Sequence, residues 1–163
     1  ESAATPARLD ALETAVEHHA VEAVDVELDA VRAGDAGRVV DHARAADVDV
    51  VVSVHDFEST PSADRMRTLL EAAAGVGDVG KLAVTATSRG EVLDLLSVTH
   101  DATESGTTVA TMAMGEAGRH SRAVAPLYGS RIGYAPVDPT DATAPGQYDL
   151  ATLRSLVDAL RGD

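Results

Sequence analysis

The run Val48-Asp49-Val50-Val51-Val52-Ser53-Val54-His55 is nearly continuous and β-branched. A strand this apolar needs cover on both faces, and a parallel sheet flanked by crossover helices supplies it. The rest of the chain keeps that rhythm. Residues 6–20 place Leu9, Leu12, Val16 and Ala20 at helical spacing behind Thr5-Pro6, a cap with proline at the first helical position. Residues 23–28 alternate as a strand, and a helix is expected over 35–46. A helix over 61–76 follows a Ser59/Thr60 cap, and residues 81–86 read as a strand. Ser88 caps a helix over 89–99, followed by a strand over 107–114 and a short helix over 121–127. The remainder reads as a strand over 131–135, a Pro/Gly-rich loop over 138–147 and a last helix over 149–161.

This alternation predicts the α/β class with a parallel sheet, either a β/α barrel of the TIM type or an open doubly wound sheet. No glycine-rich phosphate loop follows a strand, which weighs against a nucleotide-binding sheet. Five strands are expected, where a closed barrel needs eight. No repeat or linker divides the chain, so residues 1–163 read as one domain.

The net charge of −14, from 27 acidic and 13 basic residues, argues against the clustered positive charge that polyanions need. Nucleic acid and anionic membrane are therefore not expected partners. Abundant carboxylates, one Phe and no Trp predict a salt-adapted chain, because salt relieves self-repulsion. The absence of cysteine rules out disulfides, thiolate metal sites and a Cys nucleophile. With no apolar run near ~18–20 residues and no signal peptide, a cytoplasmic location is expected. The chain opens at Glu1 rather than Met, so a segment upstream is expected.

Lys81 is the only lysine, against twelve arginines, and it opens an apolar strand. Arginine stays protonated, whereas a lysine amine can become a nucleophile. A chance survivor in a lysine-poor composition explains Lys81 equally well. His55 ends the strongest strand, where parallel β/α folds carry their reactive groups. Imidazole there is either a general acid/base or a hydrogen-bonded strand terminus. Paired with a lysine on the next strand, it completes the minimum set for Schiff-base chemistry. Asp25, Glu27 and Asp29 are expected on one strand face, with Glu27 able to orient His55. These carboxylates with His55 imitate a metal set only loosely, and no metal is expected. Met112 and Met114 alternate on a strand, as core or as the wall of a site. Arg122 follows Ser121 at a helix start, suited to a bidentate carboxylate or a surface ion pair. Gln147 lies in a long loop that could serve as a lid.

Taken in order, these motifs resemble type I 3-dehydroquinate dehydratase, the Schiff-base enzyme of the shikimate pathway of aromatic amino-acid biosynthesis. The matching segments are Val26-Glu27-Leu28, Ser53-Val54-His55-Asp56-Phe57 with Thr60-Pro61, and Lys81-Leu82-Ala83-Val84. They continue through Thr111-Met112-Ala113-Met114-Gly115, Gly118, Ser121-Arg122, Tyr128-Gly129-Ser130 and Ala144-Pro145-Gly146-Gln147. The resemblance implies a lyase that removes water from 3-dehydroquinate to give 3-dehydroshikimate, with no cofactor or metal. It implies that Lys81 forms the imine, His55 moves the protons and Glu27 orients His55. It further implies that Arg122 binds the carboxylate and that Gln147 and the hydroxyl of Thr143 contact substrate from the closing loop. Met112 and Met114 would line the pocket, with Tyr134 where the family usually has Phe. The resemblance covers the last five strands of a TIM-type barrel. The family's opening strands, which carry a further glutamate and arginines, have no counterpart, so the domain is expected to be incomplete at its amino end and its activity alone stays open. A homodimer is the family expectation. The alternatives are a class I aldolase-like lyase and an inactive barrel fragment acting as an assembly partner.

Overall fold

The computed structural model describes residues 6–162; Glu1–Thr5, and with them the expected Thr5 cap, lie outside the described residues, as does Asp163. Four parallel strands, β1 (Ala23–Glu27), β2 (Asp49–His55), β3 (Val79–Thr85) and β4 (Val109–Met114), form one sheet in the order β1-β2-β3-β4. The helices are α1 (Pro6–Val16), α2 (Leu28–Ala33), α3 (Gly37–Ala45), α4 (Ala63–Ala74), α5 (Arg89–Glu104), α6 (Ser121–Val124) and α7 (Leu150–Arg161). Single 3-10 turns cover Ala125–Tyr128 and Pro139–Asp141. The sheet is an arc of a β/α barrel, and none of the described helices is long and apolar enough to cross a membrane.

The two faces of the arc have different jobs. Val24, Val26, Val50, Val52, Leu82, Val84, Val109 and Ala113 point outward into a core shared with the helices. The helix side of β3 comes so close to α4 that a Cβ on Gly80 would sit 2.9 Å from the Leu70 carbonyl oxygen and the Ala74 nitrogen. The alternate residues of each strand line the concave face. Pairing of Glu27 with Ser53 and Ser53 with Lys81 puts these polar groups in one row, and pairing of His55 with Ala83 and Ala83 with Met112 makes the row beside it.

Several expectations are corrected. The strand expected over 131–135 does not form. The Arg131 N–H donates to the Val109 carbonyl, but the next rung is taken by a side chain: Ser130 Oγ accepts from the Thr111 N–H at 2.9 Å. A hydroxyl thus satisfies β4 where a ladder would have continued. β1 ends at Glu27 because Leu28 already begins α2, so Asp29 leaves the face of Asp25 and Glu27. Its side chain is 95% exposed and pairs with Arg32. The helix expected over 35–46 is preceded by this extra helix, which Gly34 ends in the left-handed conformation at φ 84°. α1 stops at Val16 rather than reaching residue 20, and the His18 imidazole accepts the Ala20 N–H in the turn beyond. Outside the helix His18 and His19 stack at 4.7 Å. After α6 the helix expected through Leu127 tightens to the 3-10 turn that contains Pro126.

Candidate active site

His55 reaches the carboxyl end of the sheet because β2 ends there. Asp56 then folds the chain over, its Oδ1 accepting the N–H groups of Glu58 at 3.0 Å and Ser59 at 2.7 Å. Thr60 and Thr85 tie the loops after β2 and β3 together through the Thr85 and Asp56 carbonyls. Glu27, the last residue of β1, is buried and grips His55 Nδ1 with both oxygens, at 3.0 and 3.2 Å. That contact fixes the ring and leaves Nε2 without a hydrogen bond among the described residues. Phe57 stacks on the other side of the imidazole, with centroids 5.5 Å apart and planes within 5°.

Lys81 projects from β3 into the concave face with only 8% of its side chain exposed. Its Nζ donates to Asp25 Oδ2 at 2.7 Å and lies 4.5 Å from the centre of the Tyr134 ring. The Tyr134 hydroxyl also donates to Asp25 Oδ2, at 3.4 Å, and the Ser53 hydroxyl donates to Asp25 Oδ1. Burial raises the Tyr134 phenol above its ordinary value, so the ring keeps its proton and its donor role.

Arg122 is the most telling group. It is 6% exposed, yet none of the described carboxylates pairs with it. Its Nη1 touches only the Met112 sulfur at 3.9 Å, and its Nε has no partner. Desolvation pushes its guanidinium below the ordinary arginine value. Ser121 holds this helix start against β4 by bonding the Ala113 N–H and carbonyl, which explains why Arg122 is so firmly placed. A buried, unpaired arginine costs several kcal/mol unless an anion arrives, at about the scale of other uncompensated buried charges.

Lys81, His55, Met112, Met114, Arg122, Tyr134, Thr143 and Gln147 all line one cavity of about 240 Å³, together with Phe57, Ala83 and Ala144. Glu27 stands behind His55 rather than in the wall. The loop residues have a second task. Gln147 Oε1 accepts the N–H groups of Thr143 at 2.8 Å and Ala144 at 3.2 Å, so it shapes the loop while leaving its amide donors free. The loop is pinned to the end of β4 by the Gly115 N–H to the Pro145 carbonyl, and below it Arg119 stacks on Tyr148 at 4.4 Å. No group of three or more His, Asp or Glu among the described residues is placed to hold a metal ion. Asp25 is the site residue that the sequence reading left without a role. Its position two residues before Glu27 gave its face but not its partner.

The chain matches the family described as Type I 3-dehydroquinase over residues 2–163. It is 62% identical to the 3-dehydroquinate dehydratase of Haloarcula marismortui, covering 100% of this chain and 72% of that protein. Identity to the 3-dehydroquinate dehydratase of Haloquadratum walsbyi is 52%, covering 94% of this chain and 62% of that protein. Among solved structures it superposes on the 3-dehydroquinate dehydratase of Geobacillus kaustophilus with a TM-score of 0.84 at 30% identity, covering 94% of this chain and 59% of that one. The type I enzyme of Clostridium difficile gives a TM-score of 0.87 at 26% identity over 99% of this chain and 64% of that one. The chain thus spans roughly three-fifths to three-quarters of the length of these proteins.

Proposed function

The chain belongs to the type I 3-dehydroquinase family, and from that premise we propose that its cavity removes water from 3-dehydroquinate through an imine on Lys81. The observation that carries the reading is the buried Arg122, unpaired and sharing one cavity with the only lysine and with His55. A carboxylate on Arg122 leaves the rest of a small cyclic ketone within the space bounded by Lys81 and His55.

The chemistry follows from those groups. The Lys81 ammonium lends one proton to a base, its freed lone pair attacks the ketone, and the same proton leaves with the carbonyl oxygen as water, giving an iminium with charge unchanged. Positive nitrogen acidifies the adjacent C–H, because it accepts the electron pair as an enamine. His55, held by Glu27, takes that proton. The enamine then pushes out the hydroxyl on the next carbon, and His55 returns the proton so that it leaves as water. Hydrolysis of the conjugated iminium frees 3-dehydroshikimate and restores Lys81. Met112 and Met114 form an apolar wall, and Thr143 and the free amide donors of Gln147 close over substrate hydroxyls. No step in this sequence asks for a metal or cofactor. A cytoplasmic setting and a homodimer accompany the family reading, the second open to sedimentation in molar KCl.

Borohydride tests it. Incubation with 3-dehydroquinate and borohydride should add one reduced adduct, mapping to Lys81, and Lys81→Arg should take none. An unmodified wild-type chain, or an adduct that survives Lys81→Arg, rejects the imine.

A further inference from the structure

We infer that Asp25 is the proton acceptor and counter-ion of the Lys81 imine. The inference rests on the dehydratase reading and assigns a carboxylate that the reading leaves idle. Glu27 is committed to His55, whereas Asp25 is committed to the amine, with Oδ2 2.7 Å from Lys81 Nζ. Its other oxygen, Oδ1, is held by Ser53, a buried residue, and Tyr134 also donates to Oδ2. Two hydroxyl donors therefore hold one carboxylate against the reacting nitrogen.

The balance of the step shows why a base is needed there. Lysine ammonium and ketone must become iminium and one water, with charge unchanged. One ammonium proton passes to Asp25, and the freed lone pair forms the C–N bond while the carbonyl π pair moves to oxygen. A second proton moves from nitrogen to that oxygen, giving the carbinolamine. The proton held by Asp25 then passes to the hydroxyl, the C–O bond breaks, water leaves, and the nitrogen lone pair makes the C=N bond. Asp25 is a carboxylate again, now facing an iminium with a single N–H. An opposite charge at this distance favours the protonated imine, the form that acts as electron sink. With 30% of its side chain exposed, Asp25 can also exchange its proton with water if the step stalls.

The single lysine makes the test direct. Within these 163 residues an amine reagent, trinitrobenzenesulfonate, meets one side-chain amine, that of Lys81, and peptide masses identify the labelled site. Labelling rate is followed against pH for wild type, Asp25→Asn and Asp25→Glu, and borohydride trapping with 3-dehydroquinate is timed on the same proteins in molar KCl. Loss of the carboxylate removes the ion pair that occupies the amine and should speed its labelling. Asp25→Asn should then label about tenfold faster at neutral pH yet trap substrate at least about tenfold more slowly. Asp25→Glu should return the labelling curve toward wild type. A purely structural ion pair would not raise one rate while lowering the other. Coincident labelling curves, or unimpaired trapping by Asp25→Asn, overturn the inference. Displaced curves with no adduct in wild type reject the dehydratase reading instead, while upholding the ion pair's control of the amine.

Discussion

His55 and Lys81 divide the proposed reaction, and single substitutions should separate them. Attack on the ketone belongs to the amine, and removal of the adjacent proton belongs to the imidazole. His55→Ala should therefore keep the borohydride adduct on Lys81 while kcat falls by about 10²–10⁴-fold, the usual range for a lost general acid/base. Single-turnover trapping beside steady-state assays checks this, and an absent adduct would move His55 into imine formation. In the proposed reaction Arg122 acts on binding. Its hydrogen bonds to a carboxylate are charge-assisted, worth about 1.5–3 kcal/mol, so Arg122→Ala should raise KM by roughly ten- to a hundredfold. Arg122→Lys should rescue little, because an ammonium cannot offer the planar fork. The positions of both side chains could be read from the sequence because a strand end and a helix start fix where a side chain emerges. The contact of Asp25 with Lys81 could not, since alternation assigns a residue to a face while its partner depends on how far Lys81 reaches across the sheet.

Each element holds the site through a small number of contacts that can be broken one at a time. Gly80 lets β3 lie against α4, and a Cβ there would meet backbone atoms at 2.9 Å that no rotamer change relieves. Gly80→Ala should cost about 1–3 kcal/mol through overpacking, lowering Tm by roughly 2–12 °C for a domain of this size. It should also reduce trapping at Lys81, its chain neighbour. α7 begins with Asp149, whose carboxylate accepts from the Thr152 hydroxyl at 2.7 Å and its N–H at 2.9 Å. The hydroxyl bond, then the N–H, holds Asp149 below the ordinary aspartate range. A depressed folded-state pKa stabilises above the unfolded value near 3.9 and fades as pH falls through the folded one. Asp149→Asn should therefore melt below wild type at pH 7, with the gap closing as pH drops below about 4. The four strands and five longest helices were legible because burial imposes a period on them. The strand expected over 131–135 was not, because the Ser130 hydroxyl replaces a ladder bond and hydropathy carries no trace of that substitution. The Thr143 and Gln147 positions were legible as a loop, but their mutual hydrogen bonds depend on a backbone turn that spacing does not encode.

At the scale of the molecule, charge decides the conditions in which the arc holds together. The chain carries −14, and its exposed ion pairs gather only a minority of the 27 acidic residues, chiefly around Arg38 and Arg67. The remaining carboxylates repel one another across a sheet whose β1 edge carries no strand among the described residues. The Debye length is about 10 Å at 0.1 M salt and about 3 Å at 1 M, so neighbouring surface charges cease to interact over that range. Tm should rise as KCl goes from 0.1 to 1 M and then flatten, since further salt screens nothing more. Steady gain beyond 1 M, with sulfate outperforming chloride at equal ionic strength, would instead assign the effect to strengthened apolar burial through salt exclusion. A Tm that falls on adding KCl would show that repulsion does not limit stability. The same titration read by borohydride adduct at Lys81 links fold to site. If screening closes the arc, adduct yield and Tm should climb together over the same salt range.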